Sequence, residues 1–257
     1  MHPALILVSA AALILGPGLW VKRVLEQHNR EEEDFPATGG DAARQLLDRH
    51  QLQSVKVQCT DIGDHYDPDA KAVRLTRDKF ERKTLTALTT AAHEVGHALQ
   101  HASHYPPFLW HTRLVQVARV TGELGAVILI SVPTAALMSR RPVSPVIVGS
   151  TVFAMLGAGL AAQLAALPTE VDASFRKALP MLQDGYIHSE QVKDAKSILV
   201  ACSLTYVAAS FASVLSIWPW LGPRLALVWP GNPFCAAGGK RLASVVGRTT
   251  LPLQGAQ

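Results

Sequence analysis

The residues with the clearest chemical potential form an H-E-x-x-H pattern, His93-Glu94-Val95-Gly96-His97. The pattern lies in a stretch rich in Ala, Leu and Thr that predicts a helix. Positions four residues apart share one face of a helix, so the imidazoles of His93 and His97 can bind one metal ion. Zinc suits two nitrogen ligands and leaves a coordination position open for water. Glu94 stands beside the first imidazole and can take a proton from that water, which predicts a zinc hydrolase.

The third metal ligand is not expected from the same helix. His101 and His104 continue it, and we interpret them as surface residues. The extended metzincin pattern requires Gly at position 100 and His at position 103, where this chain has Gln100 and Ser103. A chance H-E-x-x-H among the ten histidines is the alternative, but the helical context disfavours it. The third ligand must therefore come from another segment.

The composition is that of a membrane protein. Of the 257 residues, 49% are hydrophobic and only 17% are charged, and the mean hydropathy is +0.19. An ordinary soluble domain carries about 25% charged residues. The net charge of +4 is scattered, without the basic and aromatic cluster of a nucleic-acid surface, so no nucleic-acid partner is expected. The cysteines show neither a disulfide framework nor a zinc-binding spacing; they are Cys59, Cys202 and Cys235.

Apolar segments long enough to cross a bilayer divide the chain. We predict a mainly α, integral membrane protein with about four transmembrane helices and a small α+β, zincin-like metallopeptidase region. Basic residues follow the first apolar segment rather than precede it, which indicates an uncleaved anchor instead of a signal peptide. The predicted parts are an N-terminal anchor (1–21), a catalytic region with the motif helix (22–113), a transmembrane hairpin (114–167), a third-ligand region (168–197), a fourth transmembrane helix (198–220) and a variable, disordered tail (221–257).

Two runs before the motif helix, 54–59 and 71–76, alternate apolar and polar residues with the period of a β-strand. The loop between them is dense in turn residues. We predict a β-hairpin whose second strand is the free edge beside the active-site helix. Such an edge accepts an extended peptide, and Val73, Arg74 and Leu75 are the candidate substrate-binding residues. The alternative is a hairpin that only covers the helix.

The segment after the predicted membrane hairpin is expected to supply the third ligand. Two successive spans return the chain to the side that it left, so residues 22–113 and 168–197 face one compartment. Pro168 predicts a helix start, which places Glu170 and Asp172 in the first turn. Glu170 is favoured over Asp172 because its side chain is longer. Alternatively, both carboxylates only complement the helix dipole.

The distribution of basic residues predicts the orientation. More Lys and Arg residues flank the spans on the catalytic side than on the other, which indicates a multi-pass protein of the cell (inner or plasma) membrane with its catalytic side in the cytoplasm. Arg140 and Arg141, in the short loop of the hairpin, favour the opposite orientation. The lipid bilayer is thus a predicted partner of the chain.

Several separate motifs resemble the YugP-like family of neutral zinc metallopeptidases, which are membrane-bound and gluzincin-type. They occur in the family's order between about residues 39 and 211, and they are Gly63-Asp64-His65-Tyr66-Asp67-Pro68, Val73-Arg74-Leu75-Thr76, the stretch from Ala91 to Gln100 and Glu170-Val171-Asp172-Ala173-Ser174. The resemblance implies a membrane peptidase with His93 and His97 as zinc ligands and Glu94 as the acid/base.

More loosely, the arrangement is similar to HtpX-type membrane proteases and prenyl-protein CAAX proteases, in which a Glu after intervening membrane helices is the third ligand. Those relatives carry an Asp four residues after that Glu, where this chain has Ser174. Ser174 and Asp172 are therefore the candidates for holding a metal ligand by a hydrogen bond.

The predicted function is an integral-membrane zinc metallopeptidase, an endopeptidase that hydrolyses a peptide or membrane-protein substrate. One zinc ion activates a water, and Glu94 is the general base. Candidates for the proton donor or the oxyanion partner are His65, Tyr66 and His188. The alternative function is a catalytically inactive membrane scaffold or adaptor that keeps its zinc.

Overall fold

The structure is a computed structural model that describes residues 16–140, 142 and 144–215, with side chains up to residue 204. It is mainly helical, with one small sheet. The helices are α1 (16–27), α2 (Gly39–Arg49), α3 (Arg77–Glu81), α4 (Leu85–Ala102), α5 (Pro106–Ser139), α6 (Pro145–Val171), α7 (Leu179–Gln183) and α8 (Val192–Leu215), with a π-helix at Asp172–Ala178 and a 3₁₀ helix at Ser189–Gln191.

Helix α4 carries the H-E-x-x-H motif and lies at the centre of the fold. Its first turn is capped by Thr84, whose hydroxyl accepts a hydrogen bond from the amide of Ala87 at 2.9 Å. Helices α2 and α8, the π-helix and strand β3 (Ala72–Thr76) all pack against it. A helix surrounded on every side is apolar around its circumference. Leu88, Ala92 and Val95 are fully buried within this core.

The sheet has three strands, β1 (Lys56–Thr60), β2 (His65–Asp67) and the central β3, in the order β1-β3-β2. Strand β3 pairs in parallel with β1 and antiparallel with β2. The predicted two-stranded hairpin is therefore wrong. The loop that we assigned to turns contains β2, and this excursion lets the chain re-enter the sheet parallel to β1.

The prediction that Val73, Arg74 and Leu75 form a free edge strand is also wrong. Val73 pairs with a residue of β1 on one side and of β2 on the other, so β3 has no unpaired edge. Val73 and Leu75 are fully buried, and Arg74 forms an ion pair with Asp67 at 2.9 Å. Alternation identifies a strand, but it carries no information about which strands lie beside it.

Helices α5 and α6 form a long antiparallel hairpin whose apolar surface is uncovered. Each is long and apolar enough to cross a membrane. Only 6% of its most apolar stretch of 18 residues is buried. Large apolar side chains such as Ile130, Phe153 and Leu160 are exposed along the pair. These two helices are the candidate spans in the part of the chain that the structure describes.

The structure therefore gives two candidate spans where the sequence predicted about four. Most of the anchor predicted at 1–21 lies outside the described residues, as does the whole tail predicted at 221–257. Helix α8 includes the start of the span predicted at 198–220. There, Ile198 and Leu199 are buried in the core beside α4 rather than exposed.

The predicted helix start at Pro168 is wrong as well. Pro168 lies inside α6, which runs to Val171 and passes directly into the π-helix and α7. Proline removes one backbone hydrogen bond, which a long helix with packed neighbours tolerates. Thr169 and Glu170 are buried at this point, so the packing of this segment maintains the helix.

Candidate metal centre

Three buried side chains from two distant segments meet at one point. His93 and His97 extend from α4, and Glu170 extends from the end of α6. The Nε2 atoms of the two histidines are 3.2 Å apart. Oε2 of Glu170 lies 3.3 Å from Nε2 of His93, and its Oε1 lies 3.6 Å from Nε2 of His97. Among the described residues, these form the group of His, Cys, Asp or Glu side chains able to hold a metal ion.

The hydrogen bonds of Gln100 determine which nitrogen of neutral His97 carries the proton. The Gln100 amide nitrogen donates to the carbonyl oxygen of Thr169 at 2.8 Å and to Oδ2 of Asp172 at 2.9 Å. Its Oε1 is then the acceptor that faces His97 Nδ1 at 3.1 Å, so Nδ1 must carry the hydrogen. The lone pair of Nε2 therefore points toward His93 and Glu170.

This arrangement fits a zinc ion. Two nitrogens bound tetrahedrally to zinc at about 2.05 Å lie about 3.3 Å apart, close to the spacing of the two Nε2 atoms. Oε2 of Glu170 is buried and has no hydrogen-bond donor. Nε2 of His93 lies nearby, but it is an acceptor when Nδ1 of His93 carries the hydrogen. A cation between these acceptors removes their mutual repulsion. Two imidazoles and one carboxylate are a donor set that zinc prefers.

Charge and burial act on two titratable groups of α4, His97 and Glu94. Burial is the largest single effect and lowers the pKa of His97, but Glu170, Glu94 and Gln100 together raise this pKa to about 9. For Glu94, burial raises the pKa of the carboxyl above its usual range, against the opposing effect of the two imidazoles. Glu94 Oε2 is buried with no hydrogen-bond partner. A carboxylate in this environment is a stronger base than one in water.

The π-helix brings two further side chains to the imidazoles. Ser174 Oγ lies 3.0 Å from His93 Nδ1, and Asp172 reaches His97 through Gln100. Close contact between the helices requires Gly96, because a Cβ atom there would lie 2.8 Å from the carbonyl oxygen of Ala173. The wider turn of a π-helix is frequent at functional sites.

The other residues proposed from the sequence have partners outside this cluster. His65 Nδ1 bonds to the carbonyl of Gly63, and the amide of His188 donates to the side chain of the 3₁₀ helix residue Gln191. Tyr66 shares a hydrogen bond with His101, one turn beyond His97. These hydrogen bonds join His65, Tyr66 and His188 to residues other than the metal-ligand candidates.

Sequence reasoning missed the role of Gln100. We used this residue only to exclude the metzincin pattern, yet its position three residues after His97 places it on the same face of α4. Lys177 was missed too; its Nζ pairs with Asp172 Oδ2 at 3.1 Å and completes the network behind His97. Helical spacing was the signal for Gln100, whereas the contact of Lys177 depends on the π-helix.

A helix that presents two imidazoles and a glutamate, opposite a carboxylate from another helix, is typical of zinc peptidases. The chain belongs to the family described as "Putative neutral zinc metallopeptidase", whose model matches residues 4–224. It is 28% identical over 209 residues to "Putative membrane protease YugP" of Bacillus subtilis (strain 168), covering 79% of this chain and 89% of that protein. No solved structure matches significantly. The resemblance stated from the motifs is confirmed.

Proposed function

We propose that this protein is an integral-membrane zinc endopeptidase in which His93, His97 and Glu170 hold one zinc ion. The observation that carries the proposal is the buried convergence of two imidazoles and an acceptor oxygen of Glu170 at the spacing of zinc ligands. Membership of a zinc metallopeptidase family supports the same chemistry.

Glu94 performs the proton transfers of the proposed reaction. Zinc, when bound, supplies a Lewis acid that lowers the pKa of a water and polarises the peptide carbonyl. Glu94 accepts a proton from the attacking water at its carboxylate and delivers it to the leaving amine. Its raised pKa, caused by burial, favours holding the proton between these two transfers.

Helices α5 and α6 are proposed to span the bilayer, since their exposed surfaces are apolar and a membrane would cover them. Trp20 in α1 and Trp110 near the start of α5 are exposed, as expected for interfacial residues. The excess of basic residues on the catalytic side supports a multi-pass protein of the cell membrane with that side in the cytoplasm. A reporter enzyme that works only outside the cytoplasm should then be active when it is fused at residue 142. An inactive fusion, with activity when the same enzyme is fused on the catalytic side, would contradict this orientation.

A peptide substrate is proposed to lie along β2 rather than β3. Strand β2 is an edge of the sheet, and Tyr66 connects it to α4 through His101 at 2.9 Å. An edge strand offers unpaired backbone groups to an extended peptide. A photoreactive residue at position 65 should cross-link to a bound peptide, whereas one at Gln58 on the opposite edge should not. Cross-linking only from Gln58 would place the peptide at β1.

The scaffold alternative does not explain Glu94. A structural zinc site takes four protein ligands, and three candidates converge in the described part of the chain. A scaffold also has no use for a buried carboxyl oxygen without a hydrogen-bond partner. We therefore favour catalysis.

The test compares the full chain with its Glu94→Gln variant in detergent, using zinc content and cleavage of an unstructured protein such as casein. We expect both to bind zinc and only the wild type to cleave. Glu81→Gln, on the exposed surface, is the matched control and should cleave normally. Cleavage by Glu94→Gln would contradict the role of Glu94. Zinc bound to a wild type that cleaves nothing would favour the scaffold.

A further inference from the structure

A chain of hydroxyl groups connects His93 to helix α8. Ser174 Oγ lies 3.0 Å from His93 Nδ1 and 2.8 Å from Ser203 Oγ. The Ser203 hydroxyl in turn donates to the backbone carbonyl of Leu199 at 3.0 Å, one turn earlier in α8. The three contacts form a continuous path from an imidazole of the candidate metal centre to the backbone of a separate helix.

One arrangement of the hydrogens satisfies all three contacts at once, because each hydroxyl has a single hydrogen. Ser203 uses its hydrogen on the carbonyl of Leu199, which can only accept. The contact between the two hydroxyls therefore requires the hydrogen of Ser174. Ser174 then has none left for the imidazole, so His93 Nδ1 must carry the hydrogen and donate it.

We propose that Ser203 is a positioning residue that, acting through Ser174, fixes the proton of His93 on Nδ1 and leaves Nε2 free to bind the metal. This inference rests on the proposed function, since it concerns a zinc ligand. Without Ser203, the Ser174 hydroxyl is released from α8 and can donate to Nδ1 instead. That reversal permits the other tautomer of His93, in which Nε2 carries the hydrogen and cannot bind zinc.

In many metal sites the second nitrogen of a ligating histidine donates a hydrogen bond to Asp or Glu. Here the hydroxyls of Ser174 and Ser203 take the place of that carboxylate. Ser174 and His93 are fully buried and Ser203 is partly buried, so most of this path lies inside the protein. The path also links α8 to the motif helix through the π-helix, in addition to the packing of α8 on α4. Displacement of α8 would thus alter the hydrogen bond that holds His93.

The experiment measures the zinc dissociation constant of the full chain in detergent by competition with a chelator, for the wild type and for Ser203→Ala. Removing the hydrogen-bond partner of a metal ligand lowers metal affinity by about 10- to 100-fold. Ser203 contacts that partner, Ser174, and not the ligand, so for Ser203→Ala we expect a loss of about tenfold. Ser203→Thr keeps the hydroxyl and should restore the wild-type value. The absorption spectrum of bound Co²⁺ should change in Ser203→Ala and be normal in Ser203→Thr.

Ser197→Ala is the matched control, because Ser197 also donates to a carbonyl four residues earlier in α8 but has no described link to His93. Its affinity should equal that of the wild type. If Ser203→Ala does not fold, Ser203→Cys keeps the volume with a weaker hydrogen bond and should show the loss. Wild-type affinity in folded Ser203→Ala or Ser203→Cys, or an equal loss in Ser197→Ala, would overturn the inference. A wild type that binds no zinc would overturn the proposed function itself.

Discussion

Gln100 Oε1 lies 3.1 Å from Nδ1 of His97, and the amide group of the same side chain is committed to two acceptors of the third-ligand segment. One glutamine thus connects the motif helix to the helix that carries Glu170 and sets the tautomer of His97. The candidate metal centre therefore includes residues that hold the ligands as well as the ligands themselves.

Replacement of Gln100 by Leu should weaken zinc binding. The change removes the acceptor of His97 Nδ1 and leaves Asp172 and the carbonyl of Thr169 without this donor in a buried site. We expect a loss of about 10- to 100-fold in zinc affinity, measured by chelator competition. Gln53→Leu, at an exposed position, is the control. Unchanged affinity in Gln100→Leu would show that this network does not support the metal.

Gly96→Ala should disturb the site through the backbone. The added Cβ would lie 2.8 Å from the carbonyl oxygen of Ala173, so the π-helix that carries Ser174 must move. Overpacking of this kind costs about 1–3 kcal/mol, and a lower thermal midpoint and weaker zinc binding should appear together. Gly122→Ala, where nothing lies within 4 Å, should be neutral or slightly stabilising. Equal behaviour of the two variants would contradict the close packing of α4 on the π-helix.

The motif helix could be predicted from a local rule, and Glu170 from the expected path of the chain. The spacing of His93 and His97 fixes their common face in any helix. Glu170 could be proposed because two predicted spans return the chain to the side that it left, and the structure brings this residue to both imidazoles.

The remaining parts depend on contacts that no local pattern contains. Alternation predicted a strand at Val73 but not its two neighbours, so an enclosed strand was taken for an edge. The π-helix after Val171 has no sequence signal that we could use, and it determines where Asp172 and Ser174 lie. Ser203 is 29 residues from Ser174 and is part of the site only because α8 packs there.

Zinc affinity should depend on pH through His97. Its pKa of about 9 in the metal-free protein, above the ordinary value of 6.5, means that the site holds a proton throughout the neutral range. Zinc must displace this proton, so the apparent affinity should rise about tenfold per pH unit up to about pH 9 and level off above it. Calorimetry in buffers of different ionisation enthalpy would count the protons released. Affinity that does not vary between about pH 7 and pH 9 would contradict the raised pKa.

The exposed side of the hairpin should face lipid. Phe153 is 79% exposed on α6, and a bilayer would bury it. Phe153→Cys, in a variant without the native cysteines, should not react with a membrane-impermeant maleimide. The measurement uses sealed vesicles whose outer surface carries the catalytic side. A cysteine in place of Glu190, on that side, should react. Rapid labelling at position 153 would mean that this surface faces water.

The most direct measurement is the zinc content of the full chain and its Glu170→Ala variant, after purification in the presence of equal zinc. The wild type should hold about one zinc ion per chain, since two imidazoles and one carboxylate complete the protein ligands of a catalytic site. Glu123→Ala, which removes an exposed carboxylate from α5, should match it. Glu170→Ala should lose the ion while keeping its helical content. Zinc held by Glu170→Ala with wild-type affinity would contradict the proposal that these distant segments share one metal ion.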